Sequence, residues 1–530
     1  MGSEAQGAAG AAEPTAKEMR LVISASSLGT IFEWYDFFIW GTLTTTGILG
    51  RTFFPSDNEM LATLLAWATF AVGFGFRPLG AILFGYLGDR LGRKYTFLVT
   101  ITLMGVATAG IGLIPGYAVI GAAAPVLIIL LRIAQGLALG GEYGGAAIYV
   151  AEHSSDGRAG YHTGYIQASV VGGFILSLAV VLLFKMALGG VWDSWGWRAP
   201  FLFSILLLLV SLWMRLKLSE SPVFKAMKEA GETASNPFVE SFTYPGNLGR
   251  LFVALFGIAA GLTVIWYTSM FSVLSFLTGP QRVDETTAQL ITGAAAFAGL
   301  FFFVWFGSLS DRIGRKKPIV WGYALTLAAL FPAFWVIGSA ANPGLAAAAE
   351  RAPVVVSGPH CSYDPFASVQ PEACGKLLDY FSKKGVAYTK AQASALDVTI
   401  GGARVEDVSP AGLDAALKAA GYDLAKQVPP ARNIVIIFGA ILVLMALSGA
   451  TYGPVAALLT EMFPSRIRYS SMSIPYHIGT GYFGGFLPFI SQYIIARTGD
   501  PYAGLWYTFA VVAMALVVTL FGLKSRPAEG

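Results

Sequence analysis

Charge is what this sequence has least of. Of its 530 residues only 12% are Asp, Glu, Lys or Arg, against roughly 25% in an average soluble protein. A soluble chain this poor in charge has too little polar surface to cover itself. The net charge of +4 is too small to point to nucleic acid. Histidine and cysteine are scarce too, at 4 and 2. Only His360 lies near the cysteines, and no four-ligand metal set is apparent. No nucleotide-binding loop, zincin motif or triad spacing appears, which argues against an enzyme. The first twenty residues are small and polar, with no cleavable leader visible. Residues 1–21 are expected to be a flexible tail.

What the chain has instead is 55% hydrophobic residues. A membrane-crossing helix needs about 20 mostly apolar residues. Twelve segments meet that need, near 22–49, 61–87, 95–115, 121–151, 162–186, 198–217, 249–277, 287–307, 318–340, 433–459, 469–495 and 503–523. Lys and Arg in short loops set the orientation. With the N-terminus inside, nineteen fall on the cytoplasmic side and five in the short outer loops. The expected topology is multi-pass in the cytoplasmic (inner) membrane with both ends inside.

The chain repeats itself. Gly85-Tyr-Leu-Gly-Asp89-Arg90-Leu-Gly92-Arg93-Lys94 returns as Gly307-Ser-Leu-Ser-Asp311-Arg312-Ile-Gly314-Arg315-Lys316, at an offset of 222 residues. A second echo links Glu152, Arg158 and Tyr161 with Glu461, Arg466, Arg468 and Tyr469. Two six-span halves in parallel repeat are a transporter architecture. The halves are expected at 22–217 and at 249–340 with 433–523, joined by a cytoplasmic linker at 218–248 and ended by a tail at 524–530.

Gly85 to Lys94 and its second copy resemble the signature of the major facilitator superfamily. Further motifs are similar to its metabolite:proton symporter branch. They are Glu33-Trp-Tyr-Asp36-Phe-Phe, Arg77-Pro-Leu-Gly80, Arg132-Ile-Ala-Gln135-Gly136, Gly140-Gly-Glu142-Tyr143-Gly144-Gly145, Trp195-Gly-Trp197-Arg198-Ala-Pro200-Phe201 and Glu220-Ser-Pro222-Val-Phe224. Sugar porters share the first signature and the Glu-Ser-Pro element. The resemblance covers nearly the whole chain except 341–432. It implies an all-α membrane protein of twelve transmembrane helices, not an enzyme. It also implies proton-driven uptake of carboxylates, shikimate-like acids, or proline or betaine by alternating access. The gradient is the energy source, no cofactor is expected, and the partners are protons, a small solute and the lipid bilayer. A monomer is expected to suffice. An organic acid is the leading expectation for the solute; the alternatives are a sugar-porter-like or osmolyte permease, or a sensor built on a transporter scaffold with the insert as its ligand-binding part.

A charge at the centre of a membrane helix costs about 2.5–3.5 kcal/mol on insertion scales. Glu33, Asp36, Arg77, Arg132 and Glu142 lie within the expected spans of the first half, whereas the second half offers only His477. A rise of about 1.5 Å per residue puts Glu33, Asp36 and Arg132 near the midplane, and Arg77 and Glu142 closer to the cytoplasm. The expected pairs are therefore Arg132 with the carboxylates of the first span, and Arg77 with Glu142. Three carboxylates facing two guanidiniums leave one best buried by taking up a proton. Asp36 or Glu33 is the candidate coupling group, with capping of a polar helix contact as the alternative. Arg132 has three possible roles: substrate anchor, modulator of the proton site, or ion-pair partner. His477 is expected to be a hydrogen-bonded packing residue, with proton carrier as the alternative. Tyr35, Gln135, Tyr143, Trp266, Tyr267 and Tyr452 are candidate cavity residues, with packing an equal alternative for the aromatics.

By resemblance, the signature residues Gly85, Asp89, Arg90, Gly92, Arg93, Asp311, Arg312 and Arg315 hold an inward gate shut against neighbouring helix ends. Glu152 and Glu461 are their expected partners. Residues 341–432 break the pattern with nine acidic and nine basic residues and no span. They read as a small extracytoplasmic α+β insert. Helices are expected at Ala373–Ser382 and at Pro410–Ala420 behind a Ser409 cap, with strands at Val386–Thr389 and Asp397–Val405. Both cysteines, Cys361 and Cys374, fall here, and an isolated pair outside is expected to form a disulfide.

Overall fold

The computed structural model describes residues 16–91, 93–141, 147, 150, 151, 154, 157–216, 237–464 and 467–524. The side chains of Asp89, Arg90 and Arg93 lie outside the described set. The twelve apolar segments are helical in their described parts. The first half holds α1 (Ala16–Thr44), α2 (Glu59–Gly75), α3 (Arg77–Leu91), α4 (Arg93–Leu113), α5 (Ala123–Gly140), α6 (Ala159–Leu188) and α7 (Ala199–Leu216). In the second half, α8 (Asn247–Thr278), α9 (Glu285–Ile313) and α10 (Lys316–Ala341) precede the insert. Among the described residues, nine helices are long and apolar enough to cross a membrane.

Burial is inverted relative to a soluble protein. Phe297, Phe301, Leu209, Trp213, Val443 and Phe521 are exposed, whereas Arg77, Arg132, Gln135 and His477 are fully buried. Apolar flanks facing outward and ionisable groups facing the bundle interior are what hydrocarbon solvent selects.

Within the insert, α11 (Pro343–Arg351) leads to β1 (Val354–Gly358), α12 (Ala373–Lys383), β2 (Tyr388–Gln392), β3 (Asp397–Ile400), β4 (Ala403–Arg404) and α13 (Pro410–Ala419). The sheet order is β2-β1-β3-β4. β2 lies parallel to β1 after the α12 crossover, and β3 lies antiparallel to β1. The β-branched residues of β1 alternate toward an insert core of Val354, Val356, Phe381, Val398, Leu413 and Leu417, separate from the core of the helices. The expected helices are present, and Ser409 Oγ accepts from Gly412 N at 3.2 Å. The first strand sits two residues later than expected. The second is split at Gly401-Gly402, whose φ angles of 61° and 79° make the tight hairpin turn that only such residues adopt without strain. Cys361 and Cys374 are joined, with α-carbons 5.1 Å apart. An Asp364 turn, with Phe366 N donating to Oδ1 at 3.0 Å, brings the chain back between them.

The chain then returns through α14 (Ala431–Tyr452), α15 (Val455–Met462), α16 (Arg468–Ile478), α17 (Leu487–Thr498) and α18 (Leu505–Gly522). Three stretches wind as π-helix: Val253–Ala259 and Thr268–Ser272 within α8, and Gly479–Gly485 between α16 and α17. Apolar periodicity does not announce such bulges, which frequently sit at functional sites.

The two halves meet along two seams. In one, α6 packs on α9 so closely that a Cβ on Gly160 would come within 2.4 Å of the Gly307 carbonyl oxygen. In the other, Gly481 and Gly485 of the π stretch lie against Phe74 of α2.

Non-reducing mass spectrometry is expected to find one linked peptide pair, Cys361 with Cys374, and no free thiol. Replacing both by Ser should destabilise the insert by about 3 kcal/mol in the chain-entropy model for a loop of this size. Amide exchange over residues 354–400 should accelerate while the long helices keep their protection.

Candidate functional site

At the junction of the halves, seven aromatic side chains close on one another. They are Phe38 of α1, Phe70 and Phe74 of α2, Phe174 of α6, and Trp266, Tyr267 and Phe271 of α8, each no more than 3% exposed. Phe38 stacks on Trp266 at 5.0 Å, Tyr267 meets Phe74 edge-on at 5.6 Å, and Phe174 meets Phe271 at 5.0 Å. Every one of these contacts crosses from one half to the other. Trp266 Nε1 and the Tyr267 hydroxyl are buried with no hydrogen-bond partner among the described residues. An orphan of this kind costs about 1–3 kcal/mol, so its retention needs an explanation. Trp266 and Tyr267, for which the sequence left cavity and packing roles open, are packed in this cluster. Phe70, Phe74, Phe174 and Phe271 were not legible, because a Phe in a span reads the same whether it faces lipid or a partner half.

Arg132 lies beside this cluster, fully buried. Its guanidinium carbon sits 4.1 Å from the Phe37 ring centroid and 5.4 Å from that of Phe70. Nη1 donates to Gln135 Oε1 at 2.6 Å and to the Phe37 carbonyl at 3.4 Å, and Nη2 to the Phe70 carbonyl at 3.4 Å. Nε has no partner among the described residues. The expected ion pair with the carboxylates of the first span is therefore not made; α5 reads the backbone of α1 instead. The physical reason is direction: Asp36 presents its carbonyl to Gln135 Nε2 at 3.2 Å, while Ser204 of α7 is the polar neighbour of its carboxyl. Gln135 also donates to Thr108 at 2.6 Å, so it is spent on the helix interface. Its neighbour Gly136 lies so close to α2 that a Cβ there would overlap the Gly73 carbonyl.

Asp36 is 5% exposed, and its Oδ1 has no hydrogen-bond partner among the described residues. No ion pair neutralises it among those residues. Glu33 is buried one turn away at 7%. Tyr35 ties α1 to α7 by donating to the Pro200 carbonyl at 2.7 Å, a packing role rather than a cavity one.

The π stretch after α16 brings further polar groups to the centre. Arg77 Nη1 donates to Thr480 across the halves at 3.1 Å and lies 5.1 Å from the Trp34 ring centroid. Its expected partner Glu142, with Tyr143, lies outside the described residues. Tyr452 and Tyr476 share a hydrogen bond at 2.6 Å. His477 is fully buried, and neither ring nitrogen has a partner among the described residues, so the hydrogen-bonded packing role expected for it is not what is found.

At the end away from the insert, Asp311 of α9 accepts from the backbone amides of Gly160 and Tyr161, both at 2.8 Å. A carboxylate on the N-terminus of α6 faces both orphan donors and the positive end of the helix dipole. Arg315 holds Asp311 at 2.5 Å and Glu461 at 2.7 Å. Arg312 is exposed and makes no ion pair among the described residues, contrary to its expected part in the gate. Gly85 is helical within α3. Gly92 and Glu152, with the side chains of Asp89, Arg90 and Arg93, lie outside the described residues.

The model of a family described as "Sugar (and other) transporter" matches residues 21–241. The shikimate transporter of Escherichia coli K12 is 35% identical over 319 residues, covering 59% of this chain and 71% of that protein. The proline/betaine transporter of Salmonella typhimurium LT2 is 35% identical over 329 residues, or 61% of this chain. The chain spans 65% of that relative's length. Among solved structures, the proton:xylose symporter XylE, bound to 6-bromo-6-deoxy-D-glucose, superposes with a TM-score of 0.61 at 16% identity. The match covers 96% of this chain and 97% of that one, a likeness of fold alone.

Asp311→Asn is expected to loosen the α6–α9 seam, since a carboxylate cap on two amides is worth about 1–2 kcal/mol. A cysteine in place of Thr163, fully buried on α6, should then react with maleimide about tenfold faster. An unchanged rate would mean that the cap does not hold the seam.

Proposed function

We propose that this chain, which belongs to the major facilitator superfamily, is a proton-coupled symporter that takes up a small carboxylate-bearing solute. The family makes it a multi-pass secondary transporter of metabolites and not an enzyme. The finer reading is carried by one observation: a buried guanidinium, Arg132, and a buried carboxyl, Asp36, that do not pair with each other. Each lies in the first half beside the aromatic junction, and each lacks the partner that would make it purely structural. A solute carboxylate is the natural missing partner of Arg132, by charge-assisted hydrogen bonds to its planar fork. For Asp36 the natural partner is a proton, the one neutralisation that needs no neighbouring cation.

Alternating access follows from the seams. With the insert-bearing end taken as outside, on the Lys and Arg distribution, the Asp311–Arg315–Glu461 cluster is the cytoplasmic tie. Opening the outer end would part the seven aromatics, admit the solute to Arg132, and give Asp36 access to the outer proton pool. Closing it and releasing the Asp311 cap would deliver both inward. A solute that neutralises Arg132 and a proton that neutralises Asp36 each lower the cost of the occluded state, which is the physical content of coupling.

The aromatic faces favour a solute whose other end is a weakly hydrated cation, since ring faces attract such groups. A zwitterion of the proline or betaine kind would satisfy the ring faces and Arg132 together, whereas a shikimate-like acid would satisfy Arg132 alone. Uptake into proteoliposomes under an imposed proton gradient, with both kinds of solute, tests the class.

Asp36→Asn should abolish proton-driven accumulation while leaving solute exchange. Unchanged accumulation in both Asp36→Asn and Glu33→Gln would remove the proton from the mechanism. Arg132→Gln should weaken solute binding about 10- to 100-fold, the worth of a charge-assisted hydrogen bond at about 1.5–3 kcal/mol. Arg132→Lys should recover part of that loss.

A further inference from the structure

Beneath the insert lies a cavity of about 270 Å³ that nothing above has used. Its walls come from both halves and the insert: the end of α1 and the start of α2 in the first half, the α8–α9 loop and the end of α17 in the second, and α12 to β2 of the insert. Its floor is Trp67, whose ring lies 5.5 Å from Phe70 and 6.0 Å from Phe271. The cavity therefore stands directly over the aromatic junction.

Most of its charges are already spent. Glu285 is held by Lys185 of α6 at 3.3 Å and by Lys426 of the insert at 2.6 Å. Lys383 is held by Asp379 at 2.9 Å and donates to the Asp57 carbonyl at 2.8 Å. Two lining charges remain without an ion pair among the described residues: Arg282 of the second half and Glu59 of the first. Arg282 gives Nη2 to the Lys384 carbonyl at 2.5 Å, and its Nε is buried with no partner among the described residues. Burial lowers the Arg282 pKa, the charge of Glu59 opposes that shift, and both residues line the cavity.

Arg282 is also set in place at a cost. Its φ of 57° is left-handed, which a non-glycine residue adopts only under constraint. The constraint is the insert: Gln427 N donates to the Arg282 carbonyl at 2.9 Å, and Asp284 N donates to the Gln427 carbonyl at 2.9 Å. Strain held by a fixed bridge, next to an unsatisfied guanidinium nitrogen, is the mark of a preorganised binding group.

We propose that this cavity is a second solute site, which takes a small zwitterion with its carboxylate on Arg282 and its cationic nitrogen toward Glu59. An anion alone or a cation alone satisfies one wall only, whereas a zwitterion spans both and so bridges the two halves. The volume lies just under the roughly 300–1,000 Å³ of drug-sized pockets, which suits a smaller ligand. The insert supplies the roof, through Lys383, Gly385 and Tyr388, and fixes the anchor. The position of the site on the transport path rests on the preceding reading; its existence does not.

The native chain has no free thiol once Cys361 and Cys374 are joined. A single cysteine at Thr63, which lines the cavity, therefore reports on it with maleimide and no background. Millimolar glycine betaine should slow that labelling at least tenfold, whereas acetate and choline at the same concentration should not. Arg282→Gln and Glu59→Gln should each abolish protection, and Arg282→Lys should restore part of it, which separates loss of the anchor from misfolding. Arg132→Gln, which disables the central site, should leave protection intact. The proposal is overturned if betaine gives no protection, if acetate or choline protects equally, or if Arg132→Gln removes the effect. Protection without proteoliposome uptake would sink the transport reading and leave the site. Uptake without protection would do the reverse.

Discussion

An ionisable group that leaves water for a bilayer must be neutralised or solvated by the protein itself, and the arrangement of this molecule follows from how each group meets that demand. Arg132 meets it with two backbone carbonyls, one amide oxygen and the faces of Phe37 and Phe70. Arg77 reaches Thr480 and the ring of Trp34. The described partners of Arg132 include no carboxylate, and Asp36 has no permanent ion pair among the described residues. A carboxyl locked to an arginine could not exchange its proton with two sides in turn. An unpaired carboxyl is thus what the proposed coupling requires of Asp36.

The same demand explains why one half is charged and the other is not. The second half brings aromatic rings, a buried histidine and π turns to the junction. These groups pack against either a ring or a solute at modest cost. A polar network fixed in both halves would have to be broken at every opening. A ring cluster leaves no newly unpaired donor or acceptor when it parts, and its individual contacts contribute only about 0.5–1.5 kcal/mol each beyond area burial. Two of the three π stretches touch that cluster: Thr268–Ser272 carries Phe271, and Gly481 and Gly485 of the third lie against Phe74.

Much of this was legible in residues. That the apolar segments are helices followed from apolar run length alone, and the Asp311–Arg315–Glu461 cluster followed from an internal repeat. The helices of the insert followed from a Ser-Pro start and amphipathic spacing. What was not legible was side-chain direction. Asp36 and Arg132 share a depth, yet a rotation of α1 sends the Asp36 carboxyl to α7 and its carbonyl to α5, and depth does not encode rotation. His477 carried no mark of being left without a partner. The π stretches were invisible because they preserve hydrophobicity while changing the hydrogen-bond step. The cavity under the insert was hidden most deeply, since Glu59, Arg282 and Lys383 are far apart in the chain and each reads as an ordinary loop charge.

The polar ties at the two closed ends are not equally strong. At the end away from the insert, Asp311 accepts two amide hydrogens and one guanidinium, with side chains only 6% and 12% exposed at Asp311 and Arg315. Charge-assisted bonds in such a setting contribute about 1.5–3 kcal/mol each. The insert is built into the second half and bonded to it through Gln427, Lys426 and Lys390. Its bonds to the first half are Lys383 to the Asp57 carbonyl and Asn58 to the Ala367 carbonyl. Bonds at so exposed a rim contribute about 0.5–1.5 kcal/mol each, and the Lys185–Glu285 pair beside them adds less than about 1 kcal/mol. The polar closure at the end roofed by the insert is therefore the weaker of the two, while the aromatic contacts beneath it must also part when that end opens. A zwitterion that bridges Glu59 and Arg282 would add to the weaker closure alone, and so would tip the balance toward occlusion only when solute is present.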